Sequence, residues 1–220
     1  QGVVLAKEGN LEEALVWMAT AVAMSERKNI DALVVMGKIY AQLGLYKEAS
    51  YYFSQALCLD DHREDIRAAQ ARADALYEGQ GEMVIEIEPF KRAVVLAGEV
   101  ATERASQPAT TVVCPVCEKT IAGVENKYYC SACQLDLTLL YIARNLHSYY
   151  FNWGHHFAYM WQQEEDEDVW YRAVECLSAG WQVRPEADNL RPLVMLGKTF
   201  IQRKVYALAL YAWRRAMDVG

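Results

Sequence analysis

The feature that most constrains the fold is the run of residues 30–63, in which small and bulky apolar side chains recur at helical spacings. In order, it carries Leu33, Met36, Gly37 and Tyr40, and then Ala49, Phe53 and Ala56. Small residues at Gly37 and Ala49 allow two antiparallel helices to approach closely, while the bulky ones fill the space around the pair. Gly44 is suited to the left-handed conformation that ends many helices. The run therefore predicts a helical hairpin.

This pattern resembles the tetratricopeptide repeat, a helix–turn–helix unit of about 34 residues. The first 24 residues match the later part of the run at an offset of 35 residues, and further partial copies lie near the end of the sequence. The matching residues are Gly2, Leu5, Gly9, Ala14, Met18 and Ala21 before the run, and Ala173, Leu177, Gly180, Pro185, Leu193, Leu196, Gly197, Phe200, Ala209, Trp213 and Ala216 after it. The resemblance implies an all-α fold, a tetratricopeptide-repeat α-solenoid.

Four of the six cysteines form two C-x2-C pairs separated by twelve residues, namely Cys114 with Cys117 and Cys130 with Cys133. Each pair makes a tight turn with both sulfurs facing one point, so the two pairs together can supply four thiolates in tetrahedral geometry. The spacing resembles a short zinc ribbon, and four protein ligands imply a structural Zn²⁺. Rubredoxins hold iron with similar pairs, but they usually carry glycine where this chain has Glu118 and Gln134. Iron is therefore the alternative metal.

These motifs divide the sequence into four segments. We expect tetratricopeptide repeats over residues 1–78, an extra helix and a linker over residues 79–107, a small β zinc ribbon over residues 108–137, and further repeats over residues 138–220. The five consecutive acids at residues 164–168 are expected to form a solvated turn that favours the N-terminus of the next helix. Cys58 and Cys176 lie on apolar helical patterns, and we expect both to be small core residues.

Apolar residues near the two ends of the sequence raise the question of what covers them. They are Leu5, Leu11 and Leu15 at one end and Leu208, Tyr211, Ala212 and Trp213 at the other. In a solenoid whose units contact only their neighbours, such residues would lie on open terminal faces. Exposed apolar patches usually mark interfaces. We therefore expect a piece of a longer protein that works within a larger complex or as a homo-oligomer.

Composition narrows the possible functions. The formal net charge is −7, with 22 basic and 29 acidic residues, which argues against general binding to a nucleic-acid backbone. No apolar run approaches the ~18 residues of a membrane span. No nucleophile–base, phosphate-loop or dinucleotide motif is present, so we do not expect an enzyme. Paired cysteines without a secretory signal indicate metal ligands and a cytoplasmic location.

The tetratricopeptide resemblance implies a non-catalytic scaffold or assembly adaptor that binds another protein on the concave face of the repeats. The first helix of each hairpin lines that face. Counting from the glycine in the two best copies pairs Asp31, Val34, Lys38 and Gln42 with Arg191, Val194, Lys198 and Gln202, and three of the four pairs are identical. We expect these residues to form a mildly basic, polar surface for a protein partner. The alternatives are a rubredoxin-like redox or sensor protein and a zinc-ribbon factor associated with nucleic acid.

Overall fold

The computed structural model describes residues 1–79, 111–113, 116, 120–122, 132–133, 146–164 and 166–220. Within these residues the chain is mainly helical, which confirms the all-α class at this level. The helices are α1 (Gly2–Lys7), α2 (Leu11–Met24), α3 (Ile30–Gln42), α4 (Tyr46–Leu59), α5 (Glu64–Glu78), α6 (Leu146–Glu164), α7 (Glu167–Gln182), α8 (Arg191–Gln202) and α9 (Tyr206–Val219). Two short strands, β1 (Thr111–Val113) and β2 (Thr120–Ala122), pair with each other.

The hairpin predicted for residues 30–63 forms as α3 and α4. Asn29 begins α3, where its side chain accepts a hydrogen bond of 3.0 Å from the backbone N–H of Ala32. The two helices cross closely at Gly37, where an added Cβ would come within 2.6 Å of the Phe53 ring. Gly44 then has a φ of +75°, the left-handed conformation expected at this turn. The sequence prediction for this hairpin is confirmed.

The hairpin of α8 and α9 repeats the same construction. An added Cβ at Gly197 would lie 2.1 Å from Nε1 of Trp213. At the turn, Lys204 takes a φ of +61° at the position that Gly44 occupies in the other hairpin. Lysine pays a steric cost in this conformation that glycine does not. The close crossing is therefore the feature that both hairpins share, and the glycine in the turn is dispensable.

Helices α6 and α7 also cross closely, at Gly154. The sequence analysis missed this crossing. An added Cβ there would lie 2.7 Å from Leu177. The signal is present in the sequence, because Trp153-Gly154-x2-Phe157 repeats the order of bulky, small and aromatic residues around Gly37. The sequence analysis did not identify this signal because α6 is unusually aromatic.

The acidic run spans the end of α6 and the start of α7, and its last acids favour the N-terminus of α7, as predicted. It is not all a solvated turn, because Glu164 belongs to α6 and Asp168 is half-buried in α7. Asp166 is the N-cap residue of α7, and its side chain accepts a 2.9 Å hydrogen bond from the backbone N–H of Asp168. Glu167 and Asp168 lie in the first turn. Their negative charges stabilise the positive end of the helix dipole.

Helices α1–α5, the N-terminal block, and helices α6–α9, the C-terminal block, pack directly against each other. Helix α2 lies along α7, and the buried residues of both blocks form one continuous cluster. As a result, Leu15 and Trp213 are fully buried and Leu208 is 1% exposed, while Leu5, Leu11 and Tyr211 pack against the same cluster. The expectation that these side chains lie on open faces is wrong, because the chain's own core covers them.

The prediction that Cys58 is a core residue is also wrong, since Cys58 is exposed. The buried stripe of α4 runs through Ala49, Tyr52, Phe53 and Ala56. Cys58 lies two residues past Ala56, roughly 200° around the helix, and so it points away from that stripe. Cys176 is half-buried, and burial raises the pKa of its thiol to about 12.

The two strands flank the first cysteine pair. They are antiparallel, with Val113 opposite Thr120. Val113 and Thr120, which stand on either side of residues 114–119 in the sequence, are therefore neighbours in space. Cys133 is exposed in a turn. Cys114, Cys117 and Cys130 lie outside the described residues, as do the predicted extra helix and linker beyond residue 79.

Candidate interaction surfaces and the interface between the helical blocks

Helices α3 and α8 present matching exposed faces. Lys38 and Gln42 are exposed on α3, and Lys198 and Gln202 are exposed at the corresponding positions of α8. The first positions of the two faces, Asp31 and Arg191, are exposed as well and carry opposite charges. These six side chains are available to a partner.

The two valines of the predicted surface are buried. Val34 is 7% exposed and Val194 is 6% exposed. Both belong to the core cluster. Packing therefore explains why both copies have valine at this position. Packing does not explain why both copies also share an exposed lysine and an exposed glutamine.

The structure also brings together a polar cluster that the sequence analysis did not identify. It is centred on Arg27, in the turn between α2 and α3. Glu26 and Arg27 have φ values of +50° and +61°, a conformation that costs side-chain-bearing residues free energy. This turn directs the Arg27 side chain toward α7, and only 14% of that side chain is exposed.

The guanidinium of Arg27 forms four hydrogen bonds, three of which cross the interface between the blocks. Its Nε and Nη2 donate to the two carboxylate oxygens of Glu175, at 2.8 and 3.0 Å. Its Nη1 donates to Oδ1 of Asp168 at 2.5 Å and to the hydroxyl of Tyr51 at 2.8 Å. This bidentate arrangement is the strongest geometry for an arginine–carboxylate pair. We call Arg27, Tyr51, Tyr52, Asp168 and Glu175 the Arg27 cluster.

The two carboxylates of the Arg27 cluster differ in environment. Glu175 is buried, with 3% of its side chain exposed, and it also accepts a 3.0 Å hydrogen bond from the Tyr52 hydroxyl. Burial raises the pKa of Glu175, and the charge and hydrogen bonds of Arg27 oppose that rise. Asp168 is 37% exposed. Burial raises its pKa as well, but the hydrogen bond from Tyr51 and the charge of Arg27 outweigh it, so the pKa of Asp168 is lowered.

Stacked aromatic rings continue this interface between α4 and α7. Tyr51 stacks on Tyr171 with ring centroids 3.6 Å apart, and Tyr52 contacts Tyr171 edge-on at 5.4 Å. Within the N-terminal block, Tyr52 also stacks on Tyr40 of α3. Trp170 lies beside Tyr171, and its indole N–H donates a 3.0 Å hydrogen bond to the carbonyl of Thr199. The two blocks are thus joined by a surface of rings with the Arg27 cluster at one end.

A second arginine lies at the other end of the ring surface. The guanidinium carbon of Arg203 is 4.6 Å from the centroid of Trp170 and 5.4 Å from that of Tyr171, as expected for cation–π contacts. Its Nη2 is 3.4 Å from Oε1 of Glu48, which is 6% exposed. Lys47 and Glu167 form a further ion pair at this edge. Both ends of the interface are therefore fixed by charge pairs that join the blocks.

The charged side chains of this interface are paired with each other. Within the described part of the chain, the hydroxyls of Tyr40 and Tyr171 and Nη1 of Arg203 are buried without a hydrogen-bond partner. No group of three or more His, Cys, Asp or Glu side chains that could hold a metal occurs among the residues that the structure describes. The sequence analysis missed the cluster because Arg27 and Glu175 are 148 residues apart. Each looks like an ordinary surface charge when read alone.

In the described part of the chain, no helix has both the length and the apolar character needed to cross a bilayer. Comparisons of the chain with models of protein families, with curated proteins and with solved structures find no match.

Proposed function

We propose that this chain is a non-catalytic scaffold or adaptor of the tetratricopeptide-repeat type that binds another protein through α3 and α8. The observation that carries the proposal is the correspondence between these two helices. They have the same order of buried and exposed positions over residues 31–42 and 191–202. Two exposed side chains, a lysine and a glutamine, recur within this common framework.

The repeated exposed residues support partner binding for a physical reason. Positions that pack must keep their size and apolar character, but solvent-facing positions on a helix accept most polar residues. Lys38 and Lys198 provide donors for carboxylates, and Gln42 and Gln202 provide both donors and acceptors. The face therefore suits an acidic or polar segment of a partner protein, in a larger complex or in a homo-oligomer.

The test is affinity capture with charge-reversed variants. We expect Lys38→Glu combined with Lys198→Glu to lose specific protein partners that the unmodified chain captures. The matched control is Arg67→Glu combined with Arg72→Glu, on exposed positions of α5, which changes the net charge equally. Equal loss in both double variants would show a general charge effect and contradict the proposal.

The second part of the proposal is a structural Zn²⁺ held by Cys114, Cys117, Cys130 and Cys133. The pairing of β1 and β2 supports it, because the antiparallel strands lie immediately before and shortly after the first C-x2-C pair in the sequence, an arrangement that suits ligands of a zinc ribbon. Four thiolates suit zinc, and the bound metal would contribute to the folding of a segment too small to bury a large core. Thiol ligands of this kind persist in a reducing compartment such as the cytoplasm.

Metal analysis separates zinc from the iron alternative. We expect one zinc per chain and no visible absorption. Cys114→Ser should lose the metal while the helical signal in circular dichroism is largely kept, since the helices have their own core. A red protein with iron in stoichiometric amount would instead favour a rubredoxin-like redox or sensor protein.

A further inference from the structure

A charged cleft lies between the start of α2 and the outer face of α9. Its volume is about 500 Å³, within the ~300–1,000 Å³ typical of binding clefts. Glu12 and Glu13 line one wall, and Arg214, Arg215 and Asp218 line the other. Tyr211 also lines the cleft. Burial is the main cause, and the charge of Glu13 the second, of a rise in the pKa of its phenol to about 12. The cleft thus has an acidic wall and a mainly basic wall.

The charges of the two walls do not satisfy each other within one chain. Glu13 accepts a 3.0 Å hydrogen bond from Asn10. Glu12, Arg214 and Arg215 form no ion pair with another described residue. The glutamates also have a local role, since they lie in the first turn of α2 and favour its dipole. That role does not extend to the two arginines, because they precede the last turn of α9.

We propose that this cleft is a contact surface for a second copy of the chain, related to the first by a two-fold axis. A two-fold interface requires a self-complementary patch. If one residue of the first copy contacts a second residue of the other copy, the same contact occurs again with the two copies exchanged. An acidic wall beside a basic wall meets this requirement, because rotation places the arginines of each copy against the glutamates of the other. The arginines are exposed and the glutamates half-buried, so the basic side chains reach outward toward a recessed acidic wall.

Charge complementarity is the reason for choosing a second copy over an unrelated ligand. The chain has a net charge of −7, so two copies repel each other overall. A local patch where unlike charges meet offsets this repulsion, and this cleft supplies one. The inference is independent of the proposed function, since neither wall includes a residue of the exposed faces of α3 and α8.

Sedimentation equilibrium with two charge-reversed variants tests the proposal. We expect the unmodified chain to show a concentration-dependent dimer at about 10–200 µM, the range of a weak and polar interface. Glu12→Arg with Glu13→Arg should weaken that dimer at least about tenfold, and so should Arg214→Glu with Arg215→Glu, because both place like charges face to face. Circular dichroism verifies that each variant is folded.

The decisive arm is the mixture of the two variants. One has a mainly basic cleft, in which Asp218 is the remaining acid, and the other has an all-acidic cleft, so an equimolar mixture should form heterodimers at least as tight as the unmodified dimer. The control is Arg67→Glu with Arg72→Glu, which changes the net charge as much as the arginine reversal in the cleft and should dimerise normally. A monomeric unmodified chain at 200 µM, or a mixture that stays monomeric, would overturn the proposal. Dimers that persist in both variants would place the contact elsewhere and would overturn it as well.

Discussion

Replacing Arg27 by methionine tests the energetics of the interface between the blocks. The substitution keeps an unbranched side chain in the left-handed turn at φ +61°, so the backbone cost is unchanged. It removes the guanidinium that neutralises Glu175, whose side chain is 3% exposed. Removal of one partner from a buried ion pair typically costs ~3–5 kcal/mol, because the other charge stays buried without compensation.

Protonation of Glu175 limits this loss. The carboxyl has an ordinary pKa of 4.5, and protonating it at pH 7 costs ~1.4 kcal/mol for each of the ~2.5 pH units in between, or about 3 kcal/mol. The variant should therefore lose about 3 kcal/mol of unfolding free energy at pH 7. At pH 5.5 the same reasoning gives ~1.4 kcal/mol.

The sign of the pH effect follows from proton linkage. In the variant, the pKa of Glu175 is higher in the folded state than in the unfolded state, so the folded state binds more protons between those two values. Stability then falls as pH rises through that interval. The penalty of Arg27→Met should accordingly be larger at pH 7 than at pH 5.5.

Urea unfolding followed by tryptophan fluorescence measures these differences, because Trp170 and Trp213 are fully buried. Glu175→Gln in the Arg27→Met background removes the unpaired charge, and it should recover most of the lost free energy and abolish the pH dependence. Lys28→Met is the matched control. Its partner is Glu26 on the exposed surface, where solvent screening leaves an ion pair with little effect on stability. A penalty for Arg27→Met below about 1 kcal/mol at pH 7, or one that does not change with pH, would refute the reasoning.

Three further predictions concern packing, capping and thiol reactivity. Gly197→Ala should lower the unfolding free energy by about 1–3 kcal/mol through the clash with Trp213, whereas Gly79→Ala, whose Cβ would meet no atom closer than 3.6 Å, should not destabilise the chain. Asp166→Ala should cost about 1 kcal/mol in the same urea assay, because it removes the N-cap of α7. In pulsed alkylation at pH 8 with peptide mapping, exposed Cys58 should react well before Cys176, whose pKa of about 12 leaves almost no thiolate, and equal rates would contradict this.

Local sequence signals predicted the hairpins because those signals have local causes. Gly37 and Phe53 meet within one helix–turn–helix unit, and Gly44 takes the turn conformation that glycine favours. The same reasoning could have found Gly154, whose neighbours repeat the pattern around Gly37. It could not predict that Lys204 would take a left-handed conformation, because lysine has no preference for it.

Local sequence patterns could not predict how the two blocks pack against each other. Repeat periodicity indicates which face of a helix is buried, but it does not indicate which distant helix covers that face. The prediction of open apolar ends failed for this reason, since Leu15 and Trp213 are buried within one continuous core. Of the candidate metal ligands, only Cys133 lies among the described residues, so the zinc site remains a prediction from spacing.

The Arg27 cluster gives the interface between the blocks a definite register, which the aromatic rings alone would not. Apolar stacking between α4 and α7 is non-directional, and a displacement by one helical turn could place the rings against other apolar side chains. The same displacement would separate Glu175 from Arg27 and leave a buried carboxylate unpaired, at a cost of several kcal/mol. The register matters beyond the interface, because α3 is joined to α4 and α8 follows α7. By fixing α4 against α7, the cluster also fixes the position of Lys38 relative to Lys198, and with it the spacing that the proposed partner would have to match.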